Sequence, residues 1–161
     1  MATSSQQMPS WLHAAFVLPN KLYAVGAGRL LGHRFVRITH TGRTSGREFS
    51  VVVEVVRYDR GTGEAIVVSG FGRSADWFRN ITAGGATYVD FGSGPRRAAH
   101  RVLSPQEALE VFVDYERRNR LFMPAFRPVL SRLLGWRYDG SDEGRRRLVE
   151  DLPMLALRPA P

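Results

Sequence analysis

The spacing of apolar and polar positions changes period several times along this chain, and each change marks an element. RFVRITH (34–40) alternates with a period of two, and SVVVEVVRY (50–58) is a longer run rich in β-branched residues; both predict strands. EAIVVSG (64–70) predicts a third strand, reached through the DRGTG turn, so the first three strands form a meander. TYVDF and RRAAHRVL, joined by GSGP, predict a second hairpin, and PMLALRP predicts a closing strand.

Between these runs the period lengthens towards 3.6. SADWFRNITA (74–83) predicts a short helix with Ser74 as its cap and Asp76 in its first turn. SPQEALEVFVDYERRNR (104–120) carries the fullest start signal, with Ser104 at the N-cap, Pro105 at N1 and Glu107 closing a capping box. MPAFRPVLSRLLG and SDEGRRRLVEDL predict two further helices. At the front, residues 1–10 read as a disordered leader and residues 11–31 as helical, bent at Pro19. GAGRLLG (26–32) has the wrong spacing and no preceding strand for a dinucleotide fingerprint, so it reads as a packing or turn segment. About six strands in hairpins, interrupted by helices, predict an α+β domain over 11–161 built on an antiparallel sheet or small barrel.

Composition narrows the chemistry. The 161 residues include no cysteine, which removes disulfides, thiolate catalysis and cysteine metal sites. The four histidines show no metal-ligand spacing, and no nucleophile elbow or phosphate-binding P-loop occurs. Asp76 and Asp114 read as a helix-start charge and a helix-face charge rather than as catalytic carboxylates. The formal charge is +8, and Lys21 is the only lysine beside 22 arginines, whose planar fork suits phosphate and carboxylate. No stretch reaches the ~20 apolar residues that span a bilayer, and no secretory signal is visible, so a cytoplasmic protein is expected. A peripheral membrane contact through the N-terminal helices and a homodimer are both left open.

Two segments stand out as anion-compatible. HTGRTSGREFS (40–50) is longer and more basic than a hairpin needs, with glycines that let backbone N–H groups converge and hydroxyls at Thr41, Thr44 and Ser45. SGFGRSADWFRN (69–80) runs from a strand end through glycines to a helix start. Trp77 there is suited to wall a planar ring or to anchor the core, with Asn80 tying down local backbone.

Together, TGRTSGRE after a strand and VVSGFGRSADWFRNI about 25 residues on resemble the deazaflavin (F420)-dependent nitroreductase family, over roughly residues 11–158. The resemblance implies a split β-barrel and a reductase that passes hydride from reduced coenzyme F420 to an activated C=C, quinone or nitro compound. It favours F420 over FMN. It implies that Arg43, Thr44, Ser45, Gly46 and Arg47 seat the anionic tail, that Ser69, Gly70, Phe71 and Gly72 approach the phosphate and ring, and that Trp77 and Asn80 support them. Tyr115 and Tyr138 are the candidate proton or hydrogen-bond donors. Tyr23, Trp11, Phe122 and Met123 are candidates for an apolar substrate mouth or for core packing. The family often has a second basic residue where this chain has Thr44, and usually Arg-Thr-Pro where it has Ser50, Val51 and Val52. That departure keeps two rivals in view: a coenzyme-free barrel binding or isomerising an apolar molecule, and, from charge alone, a nucleic-acid or acidic-membrane module. Nucleic acid is not expected, because DFGSGPRRAAHRV offers a single aromatic among its basic positions.

Overall fold

The structure, a computed structural model, describes residues 21–161. The expected leader, Trp11 and most of the expected N-terminal helix lie outside the described residues. Six strands, β1 (Phe35–Thr41), β2 (Glu48–Tyr58), β3 (Ala65–Val68), β4 (Thr87–Asp90), β5 (Arg96–Val102) and β6 (Met154–Pro159), close into an antiparallel barrel in the order β1-β2-β3-β6-β5-β4. Among the described residues, four complete helices flank it: α1 (Asp76–Thr82), α2 (Pro105–Arg118), α3 (Met123–Leu134) and α4 (Asp142–Asp151). This is the α+β split barrel that the alternation and the resemblance imply.

Closure depends on β1 pairing with β4, with Arg37 opposite Asp90 and Ile38 opposite Val89. At that seam Arg37 Nη2 donates to Asp90 Oδ2 at 2.9 Å, and Asp90 Oδ1 accepts the N–H groups of Gly92 and Gly94 at 2.6 and 3.0 Å. One carboxylate thus fixes both the strand pair and the turn that follows it. Gly92 is required there: at φ +95°, an added Cβ would lie 2.2 Å from the Arg29 backbone nitrogen.

β3 and β6 are buried on both faces, and this is why AIVV and MLAL read as continuous apolar runs. Ala65, Val67, Leu155 and Leu157 point into the barrel beside Val36, Ile38 and Val89, while Phe78 and Ile81 of α1 complete that cluster. Ile66, Met154 and Ala156 point outwards and pack with Val111, Phe112 and Tyr115 of α2 and Leu148 of α4. The barrel interior and the helix layer are therefore two cores sharing the same strands.

The expected capping box forms. Ser104 Oγ accepts the Glu107 N–H at 3.2 Å, and the Glu107 carboxylate accepts the Ser104 N–H at 3.3 Å. The expected Ser74 cap does not form. Ala75 occupies the N-cap of α1, and the Ser74 hydroxyl donates instead to the Phe71 carbonyl at 3.1 Å, closing the preceding turn. Helix α3 runs through Pro128 without ending. The expected helix up to residue 31 gives way after residue 24 to a turn and a 3-10 segment, Gly28–Leu31. Gly28 has no room for a side chain, since a Cβ would meet the Tyr23 ring at 2.5 Å, so GAGRLLG is a packing segment. Tyr23 is buried and donates to the Phe35 carbonyl at 3.1 Å, which places it in packing.

Candidate functional site

The loop from Gly42 to Arg47 is folded by its own backbone. Gly42 N–H donates to the Arg47 carbonyl at 2.8 Å, and Gly46 N–H donates to the Gly42 carbonyl at 2.9 Å. Gly46 takes φ +67°, and a Cβ on Gly42 would strike Ser45 Oγ and the Phe49 ring at 2.7 and 2.8 Å. Two glycines thus permit a tight loop whose tip, Thr44 to Arg47, is exposed. At that tip the backbone N–H groups of Thr44 and Ser45 meet no acceptor among the described residues, and Ser45 Oγ accepts the Arg47 N–H at 3.3 Å. Arg47 lies over the Phe49 ring at 5.6 Å and forms no ion pair among the described residues. This donor set suits an anion.

Arg43 faces the other way. Its backbone N–H and its Nη1 donate to Asn80 Oδ1 at 3.1 and 2.8 Å, and its Nη2 donates to Asp76 Oδ1 at 2.9 Å. Asn80 is buried, and its Nδ2 lies 3.1 Å from His40 Nδ1, itself buried at the end of β1. Because Asn80 Oδ1 is occupied as an acceptor, its amide nitrogen faces His40 as a donor. His40 Nδ1 must then accept, which puts the ring proton on Nε2. Burial holds the His40 pKa below the ordinary histidine value, opposed by the Asp76 charge.

The Ser69–Gly72 turn is fixed to the start of β6. Ser69 N–H donates to the Pro153 carbonyl at 2.9 Å, and its hydroxyl donates to the Gly72 carbonyl at 2.7 Å. Gly72 takes φ +70°, and a Cβ there would lie 3.1 Å from the Asp151 carbonyl oxygen. Gly70 has open space around it, and Phe71 is 67% exposed. Trp77 is half-buried, edge-on to Phe78 at 6.1 Å, and packs on the barrel core.

The fold therefore brings the two sequence segments together through Arg43, Asp76, Asn80 and His40. Sequence reasoning did not single out His40; its signal is its place at the end of an alternating strand, immediately before the glycine loop. Tyr115 and Tyr138 sit apart, in the core beneath the helices. Tyr115 donates to Glu54 Oε1 at 3.2 Å and Tyr138 to Glu116 Oε1 at 2.5 Å. Burial first, and then the neighbouring carboxylate, raises the pKa of each well above that of an ordinary tyrosine. Phe122 is exposed and Met123 is buried in that same helix-side core. Ser50 pairs with Thr39 across the β1–β2 ladder, hydroxyl to hydroxyl at 3.0 Å. Among the described residues no group of three His, Asp or Glu side chains could hold a metal, and no helix is long and apolar enough to cross a membrane.

No family model matches the chain, and no curated protein does. Solved structures do. A protein of unknown function from Agrobacterium tumefaciens str. C58 superposes with a TM-score of 0.51 at 13% identity, covering 98% of this chain and 59% of that one. The chain thus spans well under two thirds of that neighbour. A putative pyridoxamine 5′-phosphate oxidase from Listeria innocua gives a TM-score of 0.50 at 12% identity over 89% of this chain and 94% of the other. An F420-H2 dependent reductase gives 0.47 at 19% identity over 77% and 93%. The first two likenesses establish a shared barrel fold; fold alone does not fix an activity.

Proposed function

We propose that this chain is a split-barrel oxidoreductase that binds reduced coenzyme F420 and delivers hydride to an activated C=C, quinone or nitro compound. The observation that carries the reading is the Arg43–Asn80 junction. It fastens TGRTSGR to SADWFRN, the two segments whose resemblance suggests the coenzyme, and leaves an unpaired set of donors at the loop tip.

In this reading Arg43 positions the loop, and the anionic tail is held by Arg47, the Thr44 and Ser45 N–H groups and the Ser45 hydroxyl. Arg73 and Arg79, exposed and without ion pairs among the described residues, add positive charge along the same segment. Gly70 gives room for close approach, and exposed Phe71 offers an apolar face to a planar ring. The coenzyme, when bound, supplies the hydride; the chain orients it and offers hydrogen-bond donors to developing negative charge. FMN shares the ring-and-phosphate chemistry and is the less favoured occupant.

Packing disfavours the rivals. The barrel interior is filled by Val36, Ile38, Val67, Val89, Leu155 and Leu157, which leaves an apolar ligand no place among them. The basic stripe of β5 is partly neutralised, with Arg101 paired to both Glu64 and Glu107, and this weakens a nucleic-acid reading.

Titration with oxidised F420, with FMN in parallel and coenzyme fluorescence as the readout, tests the proposal. Saturable binding that Arg47→Ala weakens by roughly ten- to a hundredfold is expected, the effect of one lost charge-assisted contact. Absence of binding to either coenzyme would overturn it.

A further inference from the structure

Away from the two loops, four arginines line a cavity of about 300 Å³ between α2, α3 and α4. Arg117 comes from α2, Arg120 from the turn after it, Arg127 from α3 and Arg145 from α4; Val113, Met123 and Pro124 supply apolar wall. The only carboxylate in the lining, Glu116, is already held by the Tyr138 hydroxyl and by Arg145 Nε, each at 2.5 Å. Arg117 is committed to Asp114 at 2.6 Å and Arg145 also to Asp142 at 2.8 Å.

Arg120 and Arg127 remain. Neither forms an ion pair among the described residues. Arg127 Nε is buried without a hydrogen-bond partner. Its guanidinium lies against Gly140, where a Cβ would come within 2.5 Å of Nη2. Two guanidinium groups without a carboxylate partner among the described residues, lining one cavity beside an apolar wall, are a recognition element for an anion that brings its own apolar surface.

We propose that this cavity binds a small anion carried on an apolar body, a carboxylate or phosphate monoester of about one ring's size. Arg127 and Arg120 hold the charged head, and Val113, Met123 and Pro124 receive the body. The volume lies at the lower end of small-molecule sites. Every lining residue belongs to α2, α3, α4 or the turn after α2, so the site is separate from the loops assigned to the coenzyme.

Isothermal titration of the full chain with phenyl phosphate, benzoate, inorganic phosphate and phenol tests this. Phenyl phosphate or benzoate is expected to bind at least tenfold more tightly than inorganic phosphate or phenol, and the tighter of the two identifies the head group. Arg127→Gln and the exposed Arg120→Gln should each weaken it roughly tenfold or more, while Arg47→Ala leaves it unchanged. Thermal melts check that both variants stay folded, with Arg120→Gln the safer of the two. Binding no tighter than that of inorganic phosphate, or binding that survives both Gln variants, or binding lost in Arg47→Ala, would overturn the assignment.

Discussion

Arg43 reaches Asn80 at two points: its backbone N–H and its Nη1 both donate to Asn80 Oδ1, at 3.1 and 2.8 Å. One side-chain oxygen on α1 therefore fixes both the path and the side chain of a loop residue 37 positions earlier in the chain. The other end of the same amide fixes a histidine ring. A buried amide placed in this way sets the loop's geometry rather than its chemistry.

Removing that amide should loosen the loop before it harms anything else. Asn80→Ala leaves the buried His40 Nδ1 and the part-buried Arg43 N–H without partners, which costs about 1–3 kcal/mol. Urea denaturation reads the cost directly. Limited proteolysis should show new cleavage between Gly42 and Arg47 under conditions where the native chain resists. An unchanged urea midpoint would show that the loop is held by other contacts.

Stability should fall with acid in a way that traces to His40. Its folded pKa lies below the unfolded value of about 6.5, so the unfolded chain binds the proton more readily. The stabilisation is fully present above pH 6.5 and is lost as pH falls through the lower folded pKa. Protonation would also set an N–H at Nδ1 against the Asn80 amide nitrogen, which already donates there. His40→Gln removes the titration and keeps an acceptor for Asn80. The native chain should lose stability between pH 7 and pH 5 relative to this variant. Parallel pH curves would assign the effect elsewhere.

Much of this molecule is written locally, and the parts that are not share one cause. Strands β1, β2 and β5 and the Ser104–Glu107 box depend on residues a few positions apart, so alternation and spacing reveal them. The Ser74 cap was locally plausible, yet the Ser74 hydroxyl bonds the Phe71 carbonyl within the turn that Ser69 anchors to Pro153, and Ala75 stands at the helix start. The Arg43–Asn80–His40 chain and the β1–β4 seam join residues far apart in sequence, where no local pattern distinguishes a basic ligand-binding loop from a braced one. Asn80 was legible as a tie for backbone. That Arg43 is its object required the fold.

The two glycines flanking Phe71 should separate structure from binding. Gly72→Ala forces a side chain into φ +70° and towards the Asp151 carbonyl at 3.1 Å, so a loss of about 1–2 kcal/mol is expected. Gly70 has no atom within 4 Å of a built Cβ and no positive φ, so Gly70→Ala should change stability by less than about 0.5 kcal/mol. If a planar coenzyme lies against this turn, Gly70→Ala raises its Kd while the melting temperature stays put. Equal effects of both substitutions on stability, with none on Kd, would remove the turn from the site.

Tyr138 is a candidate donor in the chemistry, and in the structure its hydroxyl is engaged by Glu116. Its hydroxyl donates to Glu116 Oε1 at 2.5 Å, and Glu116 is braced on the opposite oxygen by Arg145 Nε. Burial, then the hydrogen bond to Glu116, raises the phenol pKa, so the proton stays in place across ordinary pH. Tyr138→Phe leaves a buried carboxylate oxygen without its donor and should cost about 1–3 kcal/mol. It should not alter hydride transfer per folded molecule, because among the described residues its hydrogen-bond and ring partners are Glu116, Ser131, Phe112 and Trp136, none of them in the two loops. Single-turnover oxidation of reduced F420 by a quinone acceptor, normalised to the folded fraction, separates the two roles. A rate lowered more than tenfold with unchanged coenzyme Kd would return Tyr138 to the chemistry, since an interaction felt only in the transition state lowers the rate without weakening binding.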